Sequence, residues 1–185
     1  MRIINSFNEN KAVALLSELL AHRMGICPTT ARHIRTAAIL HDLGKLRIPD
    51  SILNKPGKLD PQEFEIMKTH TTHGAAMLSS IQGVLGEYVT TTALYHHEWH
   101  DPSLGGYWGY PLHSLPDYVG IISICDVFTA LVSRRAFKEP WPLGDALAYI
   151  QNQAGTQFSN ELVEVFTSLV RNDSRVPAIF THDGG

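Results

Sequence analysis

Residues 28–45 read PTTARHIRTAAILHDLGK, and this stretch decides the fold class. Its apolar residues at positions 34, 37 and 38 recur every three or four residues, which is the period of one face of an α-helix. Gly44 follows where a helix of this length is expected to end. The stretch therefore predicts a helix whose end presents the adjacent pair His41 and Asp42.

The same helical period continues through most of the chain. Apolar residues follow it over 13–24, 64–78, 85–96, 119–130, 143–150 and 162–170, each predicted as one helix. No segment alternates apolar and polar residues as a strand would, so we predict an all-α fold with residues 1–185 in one domain. Residues 99–115, WHDPSLGGYWGYPLHSL, form a loop long enough to be either functional or disordered, and we expect a functional loop.

The composition excludes several classes of protein. With 44% hydrophobic and 18% charged residues in 185, the chain is an ordinary globular protein. A net charge of -3 gives no basic field for a long nucleic acid. The longest apolar stretch, 119–132, is too short to span a membrane and contains Asp126. Cys27 and Cys125 lie far apart with no disulfide framework, which favours a reducing compartment, and we expect a cytoplasmic protein.

Imidazoles and carboxylates fall at the ends or on the apolar faces of four predicted helices. Burying any one of them unpaired would be costly, and a shared cation explains them together. Neighbouring residues on a helix point about 100° apart, so an adjacent pair can reach two neighbouring ions, which favours more than one metal. His70 alone would more often be a hydrogen-bonded core residue. The candidate ligands are His41, Asp42, His70, His96, His97 and Asp126.

A series of short motifs gives this pattern a family resemblance. The motifs are HDLGK at 41–45, IP at 48–49, KPG at 55–57, MKTH at 67–70, HHE at 96–98, GYP at 109–111 and DVF at 126–128. In this order they resemble the HD-GYP family, a subset of the HD-domain phosphohydrolases, and the resemblance extends to Phe158 and the helix that follows. It implies an HD-domain helical bundle with a long functional loop.

The resemblance also implies an activity, namely hydrolysis of the bacterial second messenger cyclic di-GMP to linear pGpG, GMP or both. The implied cofactor is a cluster of two or three divalent ions, with iron or manganese expected. Asp42 is the expected bridging carboxylate, and the other candidate ligands complete the coordination. Lys45 lies one turn beyond His41, where its ammonium would meet a phosphate oxygen as charge builds in the transition state, although a solvated lysine at a helix end is the alternative.

Other residues match the substrate-binding positions of the family. Arg135 and Lys138 match the segment that holds substrate phosphate, and Gly109, Tyr110 and Pro111 form a turn that presents Tyr110. The aromatic residues of the loop, Trp99, Tyr107 and Trp108, either stack on guanine or form a small core of their own.

Several positions depart from the family pattern. Glu9 stands where the family usually has a ligating histidine in the first helix, so it either replaces that ligand or is an exposed glutamate. The segment between Glu98 and Gly109 is lengthened, and Gly120 stands where arginine is common. These departures keep two alternatives open: hydrolysis of another cyclic nucleotide or dinucleotide, and a weakly active or inactive signalling module that binds nucleotide or a partner. The expected partner is a diguanylate cyclase (GGDEF) domain or a sensor protein.

Overall fold

A computed structural model describes residues 2–133 and 139–180, with side chains described from residue 8 onward. Arg135 and Lys138, the two phosphate-binding candidates, lie outside the described residues. The described α-helices are α1 (Arg2–Arg23), α2 (Pro28–Leu40), α3 (Asp50–Leu53), α4 (Pro61–Lys68), α5 (His70–Leu78), α6 (Gly83–Tyr95), α7 (Asp117–Val132), α8 (Leu143–Asn152), α9 (Asn160–Asn172) and α10 (Arg175–Phe180). Short 3-10 turns cover Leu43–Arg47 and Leu112–Ser114. The predicted all-α class is confirmed.

Helix α7 forms the centre of the bundle. Most of its 16 residues are buried, because it is apolar on nearly every face. It packs against α1, α2, α6 and α8, and α9 closes the core against α1 and α8. Among the described helices, none combines the length and hydropathy that a membrane crossing requires.

Two predicted helix ends are found close to where the sequence places them. Helix α1 is followed by Gly25, whose φ of 78° lies in the left-handed region that favours glycine at this position. Helix α2 ends at Leu40 with His41 as its C-terminal cap, and the chain then turns through Leu43–Arg47. The end of α2 therefore presents the predicted His41–Asp42 pair.

The prediction of one helix over 64–78 is wrong, because the segment forms α4 and α5 with a break at Thr69. The hydroxyl and the amide of Thr69 both donate to the carbonyl of Ile66, at 2.6 and 3.1 Å, which tightens the last turn of α4. Helix α5 then starts afresh at His70, so His70 occupies a helix start.

The turn over Leu43–Arg47 lies directly against α5. A Cβ added to Gly44 would lie 1.9 Å from the carbonyl oxygen of His70 and 2.4 Å from the amide nitrogen of Gly74. Only a residue without a side chain permits this approach. The close contact brings Asp42 to the side of His70.

Candidate metal centre

The predicted ligands converge at one end of the bundle. They come from the end of α2, the start of α5, the end of α6 and the middle of α7. Each of these helices is fixed by the apolar core, so the polar side chains are positioned by burial of their neighbours. The residues brought together are His41, Asp42, His70, His96, His97 and Asp126.

Four of these side chains form the tightest group. Asp42, His70, His96 and His97 each offer a ligand atom within 4.8 Å of the other three. One carboxylate oxygen of Asp42, Oδ1, lies 3.4 Å from Nε2 of His70 and 3.7 Å from Nε2 of His96. These are the oxygen and nitrogen donors that a first-row divalent ion prefers.

The second carboxylate oxygen of Asp42 faces another ligand. Oδ2 lies 3.3 Å from Nε2 of His41, and that nitrogen is 3.6 Å from Oδ1 of Asp126. The two oxygens of Asp42 therefore face two different sets of side chains.

Backbone carbonyl groups orient three of the imidazoles. Nδ1 of His41 donates to the carbonyl of Ala38 at 2.6 Å, and Nδ1 of His70 donates to that of Met67 at 2.7 Å. Nδ1 of His96 faces the carbonyls of Thr92 at 3.0 Å and Ala93 at 3.2 Å. Each bond directs Nε2 toward the carboxylates, as is usual for histidines that bind metals.

The electrostatics of the site favour a cation. Burial lowers the pKa of His41, but the carboxylates of Asp42 and Asp126 outweigh it and raise that pKa to about 10. Burial raises the pKa of Asp42, yet the charges of Lys45 and His41 hold it well below its usual range. Burial lowers the pKa of His70 to about 4, so His70 is neutral at pH 7 and able to bind a metal.

Two buried polar atoms show that a metal ion fits the site. Nε2 of His41 and Oδ1 of Asp42 have no hydrogen-bond partner among the described residues, although both are fully enclosed. An enclosed donor or acceptor without a partner is costly, and divalent ions bound within the cluster would satisfy both atoms. The residues present therefore match the donor set of a divalent metal centre.

Lys45 lies at the edge of this cluster. Its ammonium group pairs with Oδ2 of Asp42, and its side chain is 33% exposed. The lysine therefore connects the buried carboxylate to the solvent side of the site, which is the direction from which a substrate would arrive.

Glu98 organises the long loop beside the cluster, a role that the sequence analysis missed. Its buried carboxylate accepts the backbone N–H groups of Trp108 at 2.8 Å and Tyr107 at 3.3 Å on one oxygen. The other oxygen accepts the N–H of Tyr110 at 2.9 Å. The available signal was a charged residue directly after His97 that had no other role.

The loop places Tyr107, rather than Tyr110, against the predicted ligands. The ring of Tyr107 lies 4.4 Å from that of His97, whereas the ring of Tyr110 contacts Tyr95 at 5.1 Å and Tyr110 is 50% exposed. Trp99 packs against the backbone of Gly105, which supports a small core within the loop. Tyr110 thus faces outward from the cluster.

Glu9 lies on α1 with a partly exposed side chain. Within the part of the chain that the structure describes, the tight group of four ligand atoms does not include it. Its role as a ligand of a third ion stays a prediction.

Comparisons with known proteins show what the chain is similar to. The model of the HD domain family matches residues 11–131. The chain is 40% identical to a cyclic di-GMP phosphodiesterase of Thermotoga maritima over 91% of this chain and 45% of the relative. It is also 40% identical to a 3'3'-cGAMP-specific phosphodiesterase 2 of Vibrio cholerae, covering 83% of this chain and 29% of the relative. The chain is likewise 40% identical to the cyclic di-GMP phosphodiesterase response regulator RpfG of Xanthomonas campestris, over 79% of this chain and 38% of the relative. The chain thus spans less than half the length of these curated relatives.

Solved structures share the fold. The HDG"Y"P protein Bd1817 of Bdellovibrio bacteriovorus superposes with a TM-score of 0.69 at 17% identity, over 90% of this chain and 52% of that one. The HD domain of the phosphodiesterase PgpH of L. monocytogenes superposes with a TM-score of 0.61 at 20% identity, over 90% of this chain and 89% of that one. At these identities the likeness concerns the fold.

Proposed function

The chain belongs to the HD domain family, in the HD-GYP branch whose motifs it carries, and we propose that it is a metal-dependent phosphodiesterase that hydrolyses cyclic di-GMP to linear pGpG, GMP or both. The observation that carries this proposal is the convergence of four imidazoles and two carboxylates from four helices on one buried point. The 40% identity to cyclic di-GMP phosphodiesterases supports the choice of substrate.

HD domains bind divalent metal ions, and we propose that Asp42, together with the imidazoles on either side of it, would hold two of them. The division of the Asp42 oxygens between His70 and His96 on one side and His41 on the other supports two positions. Iron or manganese suits nitrogen and oxygen donors without thiolates. A third ion would need Glu9 as an additional ligand.

The residues of the chain would share the work of hydrolysis. Bound divalent ions would activate water and neutralise charge on the phosphate. Water would attack phosphorus and give up a proton, the bond from phosphorus to the ribose 3' oxygen would break, and the leaving oxygen would take up that proton. Asp42 and Asp126 would bind the divalent ions. Lys45 would meet a non-bridging phosphate oxygen as negative charge increases on that oxygen. Arg135 and Lys138 would hold the phosphates of the substrate, and the turn of Gly109, Tyr110 and Pro111 would also contact the substrate.

A second candidate substrate is 3'3'-cGAMP, because a phosphodiesterase specific for it is as similar to this chain as the cyclic di-GMP enzymes are. Both molecules contain the same 3'–5' phosphodiester linkage, so the cluster described above would serve either one. The loop over residues 99–115 would have to make the distinction between the bases.

The test is a product assay on the metal-loaded protein. We expect protein purified under low oxygen and supplied with iron(II) or manganese(II) to convert cyclic di-GMP into linear products, measured by anion-exchange chromatography. Lys45→Ala should reduce turnover about a hundredfold or more, whereas Lys58→Ala, which changes an exposed lysine, should not. No turnover of either cyclic dinucleotide with any divalent ion would refute the enzyme and favour the binding module.

The cellular context belongs to the same proposal. We propose that residues 1–185 act as one domain, because α1, α2 and α6 to α10 share one apolar core. The free thiols of Cys27 and Cys125 suit the reducing cytoplasm. A diguanylate cyclase domain or a sensor protein stays the predicted partner.

A further inference from the structure

One imidazole of the cluster is held differently from the other three. The rings of His41, His70 and His96 are each fixed by a backbone carbonyl at Nδ1. Within the described ranges, no hydrogen bond to a ring nitrogen of His97 is found. A metal-binding histidine usually needs such a bond to fix its ring, so some other group must orient His97.

Neighbouring rings supply that orientation. The ring of Tyr107 lies 4.4 Å from that of His97, with an interplanar angle of 33°. The ring of His96 lies on it at 4.1 Å, and that of His70 meets it nearly edge-on at 5.2 Å. His70 and His96 are themselves candidate ligands. Of these three rings, that of Tyr107 belongs to no candidate ligand, so we assign the support of His97 to Tyr107.

Tyr107 is itself held in place from two directions. The buried carboxylate of Glu98 accepts the backbone N–H groups of Tyr107, Trp108 and Tyr110. Nε1 of Trp108 donates to the hydroxyl of Thr71 at 3.1 Å, which ties the loop to α5. Three charge-assisted bonds from one buried carboxylate give the loop a defined path.

Space around the carboxylate is limited as well. A Cβ added to Gly106 would lie 3.1 Å from Oε2 of Glu98, and Gly106 has a φ of 99°, a conformation that side chains disfavour. The loop therefore wraps closely around Glu98 at the residue that directly precedes Tyr107.

We propose that Tyr107 is a positioning residue that orients His97 for metal binding, and that Glu98 sets the position of Tyr107. The Glu98 carboxylate fixes the loop backbone, the backbone fixes the ring of Tyr107, and that ring packs against the imidazole of His97. This packing replaces the backbone hydrogen bond that orients the other three histidines. This inference rests on the metal centre of the proposed function, and it adds the group that determines how tightly one ion is held.

The experiment is a metal titration that needs no substrate. Free manganese(II) is measured by electron paramagnetic resonance while the ion is added to the full chain, and the cobalt(II) absorption spectrum reports the coordination. Tyr107→Ala should weaken binding of one ion about 10- to 100-fold. Tyr107→Phe keeps the ring and should bind as the wild type does. Glu98→Gln places an amide N–H₂ group, which is itself a donor, against the backbone N–H groups of the loop. It should therefore weaken binding of the same ion.

Tyr110→Ala is the matched control, because it removes a tyrosine ring from the same loop that contacts Tyr95 instead of the imidazoles. It should leave the affinity for manganese(II) unchanged. Circular dichroism of each variant shows that weaker binding does not come from loss of the fold.

The outcomes separate this inference from the function on which it rests. Wild-type affinity in Tyr107→Ala would refute the role of Tyr107, and so would an equal loss in Tyr107→Phe, because the ring would then not be the support. A wild-type chain that binds no divalent ion would refute the metal centre itself. Unchanged metal affinity in Glu98→Gln would refute the role given to Glu98.

Discussion

The contact between Gly44 and α5 gives the sharpest test of how the site is built. In Gly44→Ala, the added Cβ would lie 1.9 Å from the carbonyl oxygen of His70, whereas comfortable contact begins near 3.4 Å. The turn must therefore retreat from α5 by about 1.5 Å, the difference between those two distances. Asp42 precedes Gly44 by two residues and would move with the turn, away from its position 3.4 Å from Nε2 of His70.

This displacement should affect stability and activity together. Overpacking of this kind costs about 1–3 kcal/mol of unfolding free energy, measured by urea denaturation followed by far-UV circular dichroism. A displacement of about 1 Å at a reacting centre costs about a hundredfold in turnover. We therefore expect Gly44→Ala to bind manganese(II) less tightly and to hydrolyse cyclic di-GMP at least a hundredfold more slowly.

Gly144→Ala is the matched control for this substitution. Gly144 lies in α8, and a Cβ added there meets no atom within 4 Å. The same chemical change should stabilise the protein by about 0.4–1 kcal/mol, because alanine restricts the unfolded chain. The reasoning is refuted if Gly44→Ala is as stable as Gly144→Ala and retains wild-type metal affinity.

Three further predictions follow from the described contacts. Asp42→Asn removes the charge that both sets of imidazoles face, so elemental analysis should find less bound metal and the product assay no hydrolysis. Phe128→Ala empties a fully buried position of α7 and should cost about 3–5 kcal/mol in urea denaturation. Arg175 lowers the pKa of Asp173 to about 2, so the stability from this pair is present above pH 3.8 and is lost as pH falls toward 2. An acid titration of Asp173→Asn should lack that part of the loss.

Local pattern accounts for most of the fold. The ends of α1 and α2 follow from residues close in sequence, since Gly25 terminates one helix and His41 caps the other. The break at Thr69 did not follow from pattern, because apolar spacing continues across it. The break depends on hydrogen bonds to Ile66, which compete with the helical bonds without changing the periodicity.

The candidate ligands could also be predicted from the sequence. Burying an imidazole or a carboxylate without a partner costs free energy, so such residues on apolar helix faces indicate a site. The loop could not be predicted in the same way. Tyr107 and Tyr110 are equally aromatic, and only the path around Glu98 shows which of them reaches His97. Turn residues restrict a loop of this length without determining its course.

By itself, the order of amino acids determined the helical class, the family and the set of side chains able to hold a cation, because helix period and burial cost act through near neighbours along the chain. The tertiary structure alone decided which oxygen of Asp42 faces which imidazole, how closely Gly44 approaches α5, and what supports His97. These features depend on distances of a few ångströms between segments far apart in sequence, which only the packed core establishes.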